Sequence, residues 1–237
     1  MAYIEILGNI FNSQAMALVN TVNCVGVMGK GIALEFRLRF PEMFKEYQKI
    51  CTQHLLKPGQ ILLYKKSYPW ILNFAIKDDW KNPSKKEWIE ETLKKFCENY
   101  KNLGINSVAF PWMGAMNGGL PLDTIKSITR KYLQNLPDIE IEIYEFDTSS
   151  SDPLFEKLKK LLSMKSEDLV NGSGIQARYW VKIQDLLESQ KVNSLFQLCN
   201  YRINDKRVIG KTNIERLYAF LSSFPQLKQD QLMLFEK

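Results

Sequence analysis

Apolar and polar positions follow two alternating periodicities along the first 146 residues. Short runs rich in branched and aromatic apolar residues predict strands at 2–7, 16–20, 60–64, 70–76, 105–111 and 139–146. Between several of these runs, apolar residues recur every three or four positions, which predicts helices at 29–40, 41–54, 84–103 and 121–136. Because helices and strands alternate, the pattern predicts a three-layer α/β fold with a mixed central sheet.

Helix-end signals support these boundaries. Pro41 falls near the first turn of the second helix, where its missing N–H costs little. Ser84 precedes Glu87 by three residues, the spacing of a capping box, and Gly104 follows the end of the same helix. These residues predict sharp limits for the longest helix.

After Phe146 the pattern of apolar and polar residues changes. A polar, turn-rich segment at 147–153 is followed by helical patterns only. The sequence therefore predicts two domains, an α/β domain at 1–148 and a small, mainly helical domain at 154–237.

Composition excludes several classes of protein. The chain has 237 residues, of which 45% are apolar and 24% charged, as in a globular protein. It contains no apolar run of about 20 residues and no signal-peptide pattern, so a cytoplasmic location is expected. A net charge of +6 suits a polyanionic partner, although the excess is modest.

Histidine and cysteine are too few for two common kinds of chemistry. The four cysteines show no C-x-x-C spacing, and His54 is the single histidine. We therefore expect no metal site, and no Ser-His-Asp triad unless His54 is its base. His54 lies late in a helical run and is expected to be an exposed helix-end residue.

Two glycine-rich loops each join a predicted strand to a predicted helix. The first lies within NTVNCVGVMGKGIALEF (20–36) and the second is WMGAMNGGLP (112–121). Main-chain N–H groups freed by glycines at a helix start can cradle phosphate, although one such loop alone could be a plain turn. Lys30 is followed by Gly31 rather than Ser or Thr, so the Mg²⁺ ligand of a P-loop is missing. The pair of loops predicts a diphosphate site without a metal or cofactor.

Residues 1–146 closely resemble the macrodomain family, which binds ADP-ribose. GNIFNSQAMALVNTVNCVGVMGKGIALEF is similar to its first half and VAFPWMGAMNGGLPLDTI to its second phosphate loop. Within the family the chain is most similar to the DarG branch, the DNA ADP-ribosyl glycohydrolases that reverse thymine modification by DarT toxins. The resemblance implies a macrodomain fold and ADP-ribose as ligand.

The resemblance also implies ligand contacts by position. Asn9 would meet the adenine amino group as a neutral acceptor, where many macrodomains have aspartate, and Asn23 would contact the distal ribose. Phe146 or Tyr144 could face the adenine. Met116 departs from the usual glycine of the second loop. The full set of implied contacts is Asn9, Ile10, Asn23, Gly26, Val27, Met28, Gly29, Lys30, Gly31, Met113, Gly114, Ala115, Met116, Asn117, Gly118, Gly119, Leu120 and Phe146.

Lys77, in WILNFAIKDDW, matches the catalytic lysine of the DarG branch. It could act as nucleophile or base if burial lowers its pKa, or stabilise developing charge as an ammonium group. It could also simply end a strand, and Asp78 or Asp79 could pair with it. A related group of hydrolases has an aspartate in the second loop where this chain has Gly118, which argues against action on ADP-ribosylated glutamate.

Two further segments suggest partners. Trp80, Lys81, Lys85 and Lys86 suit a nucleic-acid strand, or are the solvated start of a helix. Gln231, Leu232, Leu234 and Phe235 resemble the peptide that docks on bacterial sliding clamps, although this tail could instead pack on its own domain.

The sequence thus predicts a hydrolase that removes ADP-ribose from ADP-ribosylated DNA. The resemblance further implies a DarT-like toxin as a possible partner of the C-terminal domain. Two alternatives stay open: a non-catalytic ADP-ribose reader, and a hydrolase of protein-linked ADP-ribose or O-acyl-ADP-ribose.

Overall fold

The computed structural model describes residues 2–115, 117–163 and 172–223. Contacts divide the chain into two units, Met1–Ser150 and Ser151–Lys237. The division falls inside the polar segment 147–153. Met116 and the clamp-like residues Gln231, Leu232, Leu234 and Phe235 lie outside the described residues.

Six strands form the sheet of the first unit. They are β1 Tyr3–Gly8, β2 Ala17–Val22, β3 Ile61–Tyr64, β4 Trp70–Ala75, β5 Ser107–Pro111 and β6 Glu140–Phe146. Their order across the sheet is β1-β6-β5-β2-β4-β3, and every neighbouring pair is parallel except β3 with β4. All six predicted strands are therefore present, and the mixed sheet is confirmed.

Four helices and one 3₁₀ turn surround this sheet. The helices are α1 Gly31–Arg39, α2 Pro41–Thr52, α3 Lys86–Leu103 and α4 Leu122–Leu133, and the 3₁₀ turn is Ile10–Asn12. Core residues of α3 and α4 pack on one face of the sheet, and those of α1 and α2 pack on the other. The predicted three-layer α/β architecture is confirmed.

Aromatic and branched side chains fill the two cores. On the α3 face, the ring of Phe110 lies 5.9 Å from that of Phe74 and 5.3 Å from that of Phe96, both at near-perpendicular angles. Edge-to-face pairs of this kind add to the free energy gained from burying the rings. On the α1 face, Phe36 and Tyr47 are fully buried. Both layers thus hold the sheet rigidly beneath the loops that leave it.

The C-terminal end of α3 agrees with the sequence prediction, whereas its N-terminal end does not. Gly104 follows the helix with φ +74°, and its N–H donates to main-chain carbonyls of the last turn, as expected. The predicted capping box is wrong, because Lys85 is the N-cap residue and makes no side-chain cap bond. The Ser84 N–H instead donates to the Gly118 carbonyl oxygen at 2.9 Å, which ties the helix entry to the second glycine loop.

Helices dominate the second unit. They are α5 Pro153–Ser163, α6 Ala177–Glu188, α7 Leu195–Asn200 and α8 Lys211–Ser223, joined by an antiparallel hairpin of β7 Arg202–Ile203 and β8 Lys206–Arg207. Trp180 and Phe220 pack edge to face at 6.0 Å in its core. The mainly helical texture matches the sequence pattern, whereas the short hairpin was not predicted. None of the described helices has the length and apolar character required to cross a bilayer.

Candidate functional site

The carboxyl ends of five parallel strands meet at one edge of the sheet. β1 leads to Asn9, β2 to the first glycine loop, β4 to Lys77 and β5 to the second glycine loop, while Phe146 ends β6. Ligands of such sheets bind outside this edge. The fold therefore places Asn9, the two glycine loops, Lys77 and Phe146 at the same edge of the sheet.

A side-chain amide organises the first loop, residues 23–30. The Asn23 Nδ2 donates to the Val27 carbonyl at 2.6 Å, and its Oδ1 accepts from the Val25 N–H at 3.0 Å. Gly26 has φ +79°, a conformation that side-chain-bearing residues rarely adopt. Contacts among the loop's own residues thus hold its shape.

The hydroxyl of Tyr47, on α2, reinforces this arrangement. It lies 2.8 Å from the Asn23 carbonyl oxygen and 3.0 Å from Asn23 Oδ1, and burial raises the pKa of the phenol. The sequence analysis missed Tyr47, which looks like an ordinary core residue of an amphipathic helix. The ribose contact of Asn23 stays a prediction, since both of its polar side-chain atoms already bond within the loop.

The other first-loop residues differ in what they can offer a ligand. Met28 is 1% exposed, with its sulfur 3.9 Å from the Asn20 amide nitrogen, so only its main chain can face a ligand. Lys30 is exposed and occupies the N-cap position of α1 without a side-chain cap bond. Its N–H and those of the first helical turn are the donors that an anion can use at this helix start.

Close backbone contacts shape the second loop, residues 113–120. The Leu120 N–H donates to the Gly114 carbonyl at 3.1 Å, and Gly114 and Gly119 have φ +85° and +77°. A Cβ at Gly118 would lie 2.2 Å from the Gly114 carbonyl oxygen and 2.4 Å from its Cα. Only glycine fits at 118, so an aspartate there is sterically excluded in this loop conformation. Met113, fully buried, packs in the core beneath the loop.

The two loops and Lys77 touch one another. A Cβ at Gly31 would lie 2.4 Å from Asn117 Nδ2, so the start of α1 abuts the second loop. The Lys77 Nζ donates to the Asn117 carbonyl oxygen at 2.7 Å. The segment containing Lys77 is fixed beside the first loop, because the Ile76 N–H donates to Val22 and the Asp78 carbonyl accepts from the Cys24 N–H at 3.0 Å.

Lys77 has no acidic partner among the residues that the structure describes. Burial lowers the pKa of its amine below the ordinary value of 10.5. Asp78 bonds instead to the Asp79 N–H at 2.7 Å and to the Asn82 amide, and Asp79 Oδ1 accepts from the Lys81 N–H at 2.9 Å. Neither carboxylate therefore stabilises the ammonium form of Lys77 by direct pairing.

The opposite end of the site is formed by Asn9 and Phe146. Asn9 is 2% exposed; its Oδ1 accepts from the Phe11 N–H at 3.1 Å, while its Nδ2 is buried without a partner among the described residues. The unpaired polar atom of Asn9 is thus a donor, and the acceptor role expected of its side chain toward the adenine stays a prediction. Phe146 is half-buried and pairs in register with Gly8, whereas Tyr144 belongs to the core and burial raises its pKa to about 12.

The described residues contain no cluster of three or more His, Cys, Asp or Glu side chains able to hold a metal ion. All four cysteines are free thiols. The polar groups described above at the site are main-chain amides, side-chain amides and the Lys77 amine. Such N–H groups donate hydrogen bonds to phosphate oxygens.

A family model described as Macro domain matches residues 19–129. The DNA ADP-ribosyl glycohydrolase of Thermus aquaticus is 40% identical over 142 residues, covering 58% of this chain and 39% of that protein. The Mycobacterium tuberculosis protein of the same name is 40% identical over 141 residues, covering 58% and 40%. The chain thus spans about two fifths of the length of these curated relatives.

Solved structures of DarG proteins are also similar to this chain. The macrodomain of Mycobacterium tuberculosis DarG aligns with a TM-score of 0.57 and 38% identity, covering 60% of this chain and 98% of that one. Thermosipho africanus DarTG in complex with ADP-ribose aligns with a TM-score of 0.56 and 34% identity, covering 62% and 42%. Both alignments cover about as much of the chain as the first unit occupies.

Proposed function

Because the chain belongs to the macrodomain family, we propose that its first unit removes ADP-ribose from ADP-ribosylated nucleic acid, with thymine in DNA as the modified base. The relatives at 40% identity are named DNA ADP-ribosyl glycohydrolases, which supports this substrate over a protein-linked one. The absence of room for a side chain at Gly118 supports it further, since related enzymes with an aspartate there use a different chemistry.

The two glycine loops bind the diphosphate in this proposal. Their main-chain N–H groups lie at the starts of α1 and α4, where helix dipoles also favour an anion. The adenine lies toward Phe146, where the unpaired Asn9 Nδ2 donates to a ring nitrogen. The distal ribose then lies toward Lys77, at the junction of the two loops. The binding needs no metal or other cofactor.

The contact that carries the catalytic part of the proposal is the 2.7 Å bond from Lys77 Nζ to the Asn117 carbonyl. It holds an amine of lowered pKa against the loop that covers the distal ribose. In the reaction, the bond between the anomeric carbon and the base breaks, water supplies the new hydroxyl, and the base leaves with the remaining proton. Lys77 assists as a neutral amine or as an ammonium group facing the leaving base.

Replacing Lys77 tests this assignment. We expect Lys77→Ala to lose at least about a hundredfold in single-turnover release of ADP-ribose from modified single-stranded DNA, the usual range for a general acid–base group. Calorimetry should show that the variant still binds ADP-ribose. Lys77→Arg separates the two roles, because arginine keeps a positive charge but cannot supply a neutral amine. Unchanged turnover by Lys77→Ala would remove Lys77 from catalysis, and binding without turnover by the native chain would indicate a reader.

A transferase partner is also part of the proposal. The Thermosipho africanus relative is named as a fusion of a DNA ADP-ribosyl transferase and a glycohydrolase, which supports pairing of the two activities. We propose that this chain opposes a DarT-like toxin acting on the same DNA, in the cytoplasm. Docking of the C-terminal QLMLF peptide on the sliding clamp stays a prediction from sequence, tested by a clamp pull-down with and without residues 231–237.

A further inference from the structure

The turn between Lys77 and α3 presents an exposed indole beside the site. Trp80 is 53% exposed, whereas Trp112 and Trp180 are 8% and 5% exposed in their cores. It lies three residues beyond Lys77 in a segment that we call the docking segment, residues 78–85. A large apolar ring held in solvent next to a reaction centre is available for stacking.

The carboxylates of the docking segment are used to fold it. Asp78 accepts from the Asp79 N–H and from the Asn82 amide, and Asp79 accepts from the Lys81 N–H. These bonds form two short side-chain-capped turns that hold Trp80 outward. The acidic groups are therefore engaged with amides of the turn, although their charges remain near the segment.

The docking segment is attached to both phosphate loops. The Asp78 carbonyl accepts from the Cys24 N–H at 3.0 Å, at the start of the first loop. The Ser84 N–H donates to the Gly118 carbonyl at 2.9 Å in the second loop. These two bonds attach the segment to both sides of the site.

Exposed ammonium groups occur along the docking segment and at the start of α3. Lys81 Nζ lies 5.5 Å from the centroid of the Trp80 ring, and Lys85 Nζ lies 4.5 Å from that of Trp88. Lys86 is also exposed at the first position of α3. An aromatic face with nearby cations is the combination that binds single-stranded nucleic acid, through base stacking and phosphate contacts.

We propose that the docking segment binds the DNA strand that carries the modified base. A base neighbouring the modified nucleotide stacks on Trp80, and phosphates of the same strand contact Lys81 and Lys85. This inference rests on the proposed function and adds to it the surface that holds the strand: because of the docking segment, an oligonucleotide substrate is preferred over an isolated nucleoside. An acidic peptide would use the cations without needing the indole, which makes Trp80 the decisive residue.

Comparison of two substrates tests the proposal. We would measure kcat/KM for ADP-ribosylated thymidine and for an ADP-ribosylated single-stranded oligonucleotide. Trp80→Ala should lower the preference for the oligonucleotide between about fivefold and a hundredfold, the range for loss of one base stack, mainly through KM. Trp80→Phe should retain most of the preference because it keeps a stacking face. Tyr68→Ala is the matched control, since Tyr68 is 75% exposed at the opposite end of β4.

Salt dependence tests the cations separately. Lys81→Ala and Lys85→Ala should each reduce the slope of log affinity against log salt by about 0.7, the value for one phosphate of a single strand. Lys65→Ala is the control, because Lys65 also lies over an indole, that of Trp70 at 4.2 Å, but at the far end of β4. An equal change in slope for Lys65→Ala would overturn the assignment of these phosphate contacts.

The outcomes are distinguishable from failure of the proposed function. If Trp80→Ala affects both substrates equally, or neither, the docking proposal is wrong while the hydrolase proposal stands. If the native chain turns over neither substrate, the hydrolase proposal fails, and anisotropy of unmodified single-stranded DNA with the same variants decides the docking proposal. Binding of polyaspartate as tight as that of DNA, and unchanged by Trp80→Ala, would also overturn it.

Discussion

A single methyl group at position 118 should disable the site without unfolding the protein. In the native loop, a Cβ on Gly118 would lie 2.2 Å from the Gly114 carbonyl oxygen, 2.4 Å from its Cα and 2.6 Å from its carbonyl carbon. All three atoms belong to main chain, so no side-chain rotation can relieve the overlap. Gly118→Ala must therefore move the backbone of the second loop.

The size of the effect follows from the overlap itself. Overpacking that only a backbone shift can relieve typically costs about 1–3 kcal/mol. The displaced loop also gives up the bond from Ser84 N–H to the Gly118 carbonyl and strains the bond from Leu120 N–H to the Gly114 carbonyl. If restoring the native conformation, which binds the diphosphate, costs about 2 kcal/mol, the affinity for ADP-ribose should fall about thirtyfold.

Calorimetry with ADP-ribose measures this loss, and thermal denaturation measures the fold. Gly210→Ala is the matched control, because a Cβ there meets nothing within 4 Å and Gly210 belongs to the second unit rather than to a glycine loop of the site. It should weaken binding much less than Gly118→Ala. Native-like affinity of Gly118→Ala would refute the reasoning, as would an equal loss in the two variants.

Two further predictions concern polar groups of the site. Asn9→Asp replaces the unpaired Nδ2 donor by a carboxylate oxygen and keeps the acceptor for the Phe11 N–H. The affinity for ADP-ribose, measured by calorimetry, should therefore fall about tenfold. An increase in affinity would mean that the side chain at position 9 accepts a hydrogen bond from the adenine amino group. The lowered pKa of Lys77 predicts a pH-dependent single-turnover rate: it rises through that pKa, below 10.5, if the neutral amine acts, and falls through it if the ammonium acts. The folded chain binds this proton less tightly than the unfolded chain, so at pH values below the folded pKa of Lys77 its burial lowers the free energy of unfolding. This cost disappears as the pH rises from that pKa toward 10.5. Over the same pH range, the denaturation midpoints of the native and Lys77→Met proteins should therefore converge. A rate that shows no titration at any pH up to 10.5 would argue against direct titration of Lys77 in the reaction.

The sequence alone determined the elements and their sequence along the chain. Period-two and period-3.6 patterns depend on which residues are apolar and how far apart they lie, and burial on a sheet or helix face enforces them. For this reason the six strands and four helices of the first unit could be predicted from the sequence. The positions of the glycine loops and of Lys77 after parallel strands follow from the same pattern, since parallel strands place their carboxyl ends together.

Only the tertiary structure shows which polar atoms of the site residues are already hydrogen-bonded and which are left for a ligand. The Lys77 amine donates to the Asn117 carbonyl across 40 residues of sequence, and the Ser84 N–H donates to the Gly118 carbonyl in the second loop. Asn9 and Asn23 have the same side chain, yet one leaves a buried donor unpaired and the other uses its amide to fold a loop. Which hydrogen-bond partner each of these groups has depends on how separate helices, strands and loops pack together. The local spacing of residues in the sequence does not show this.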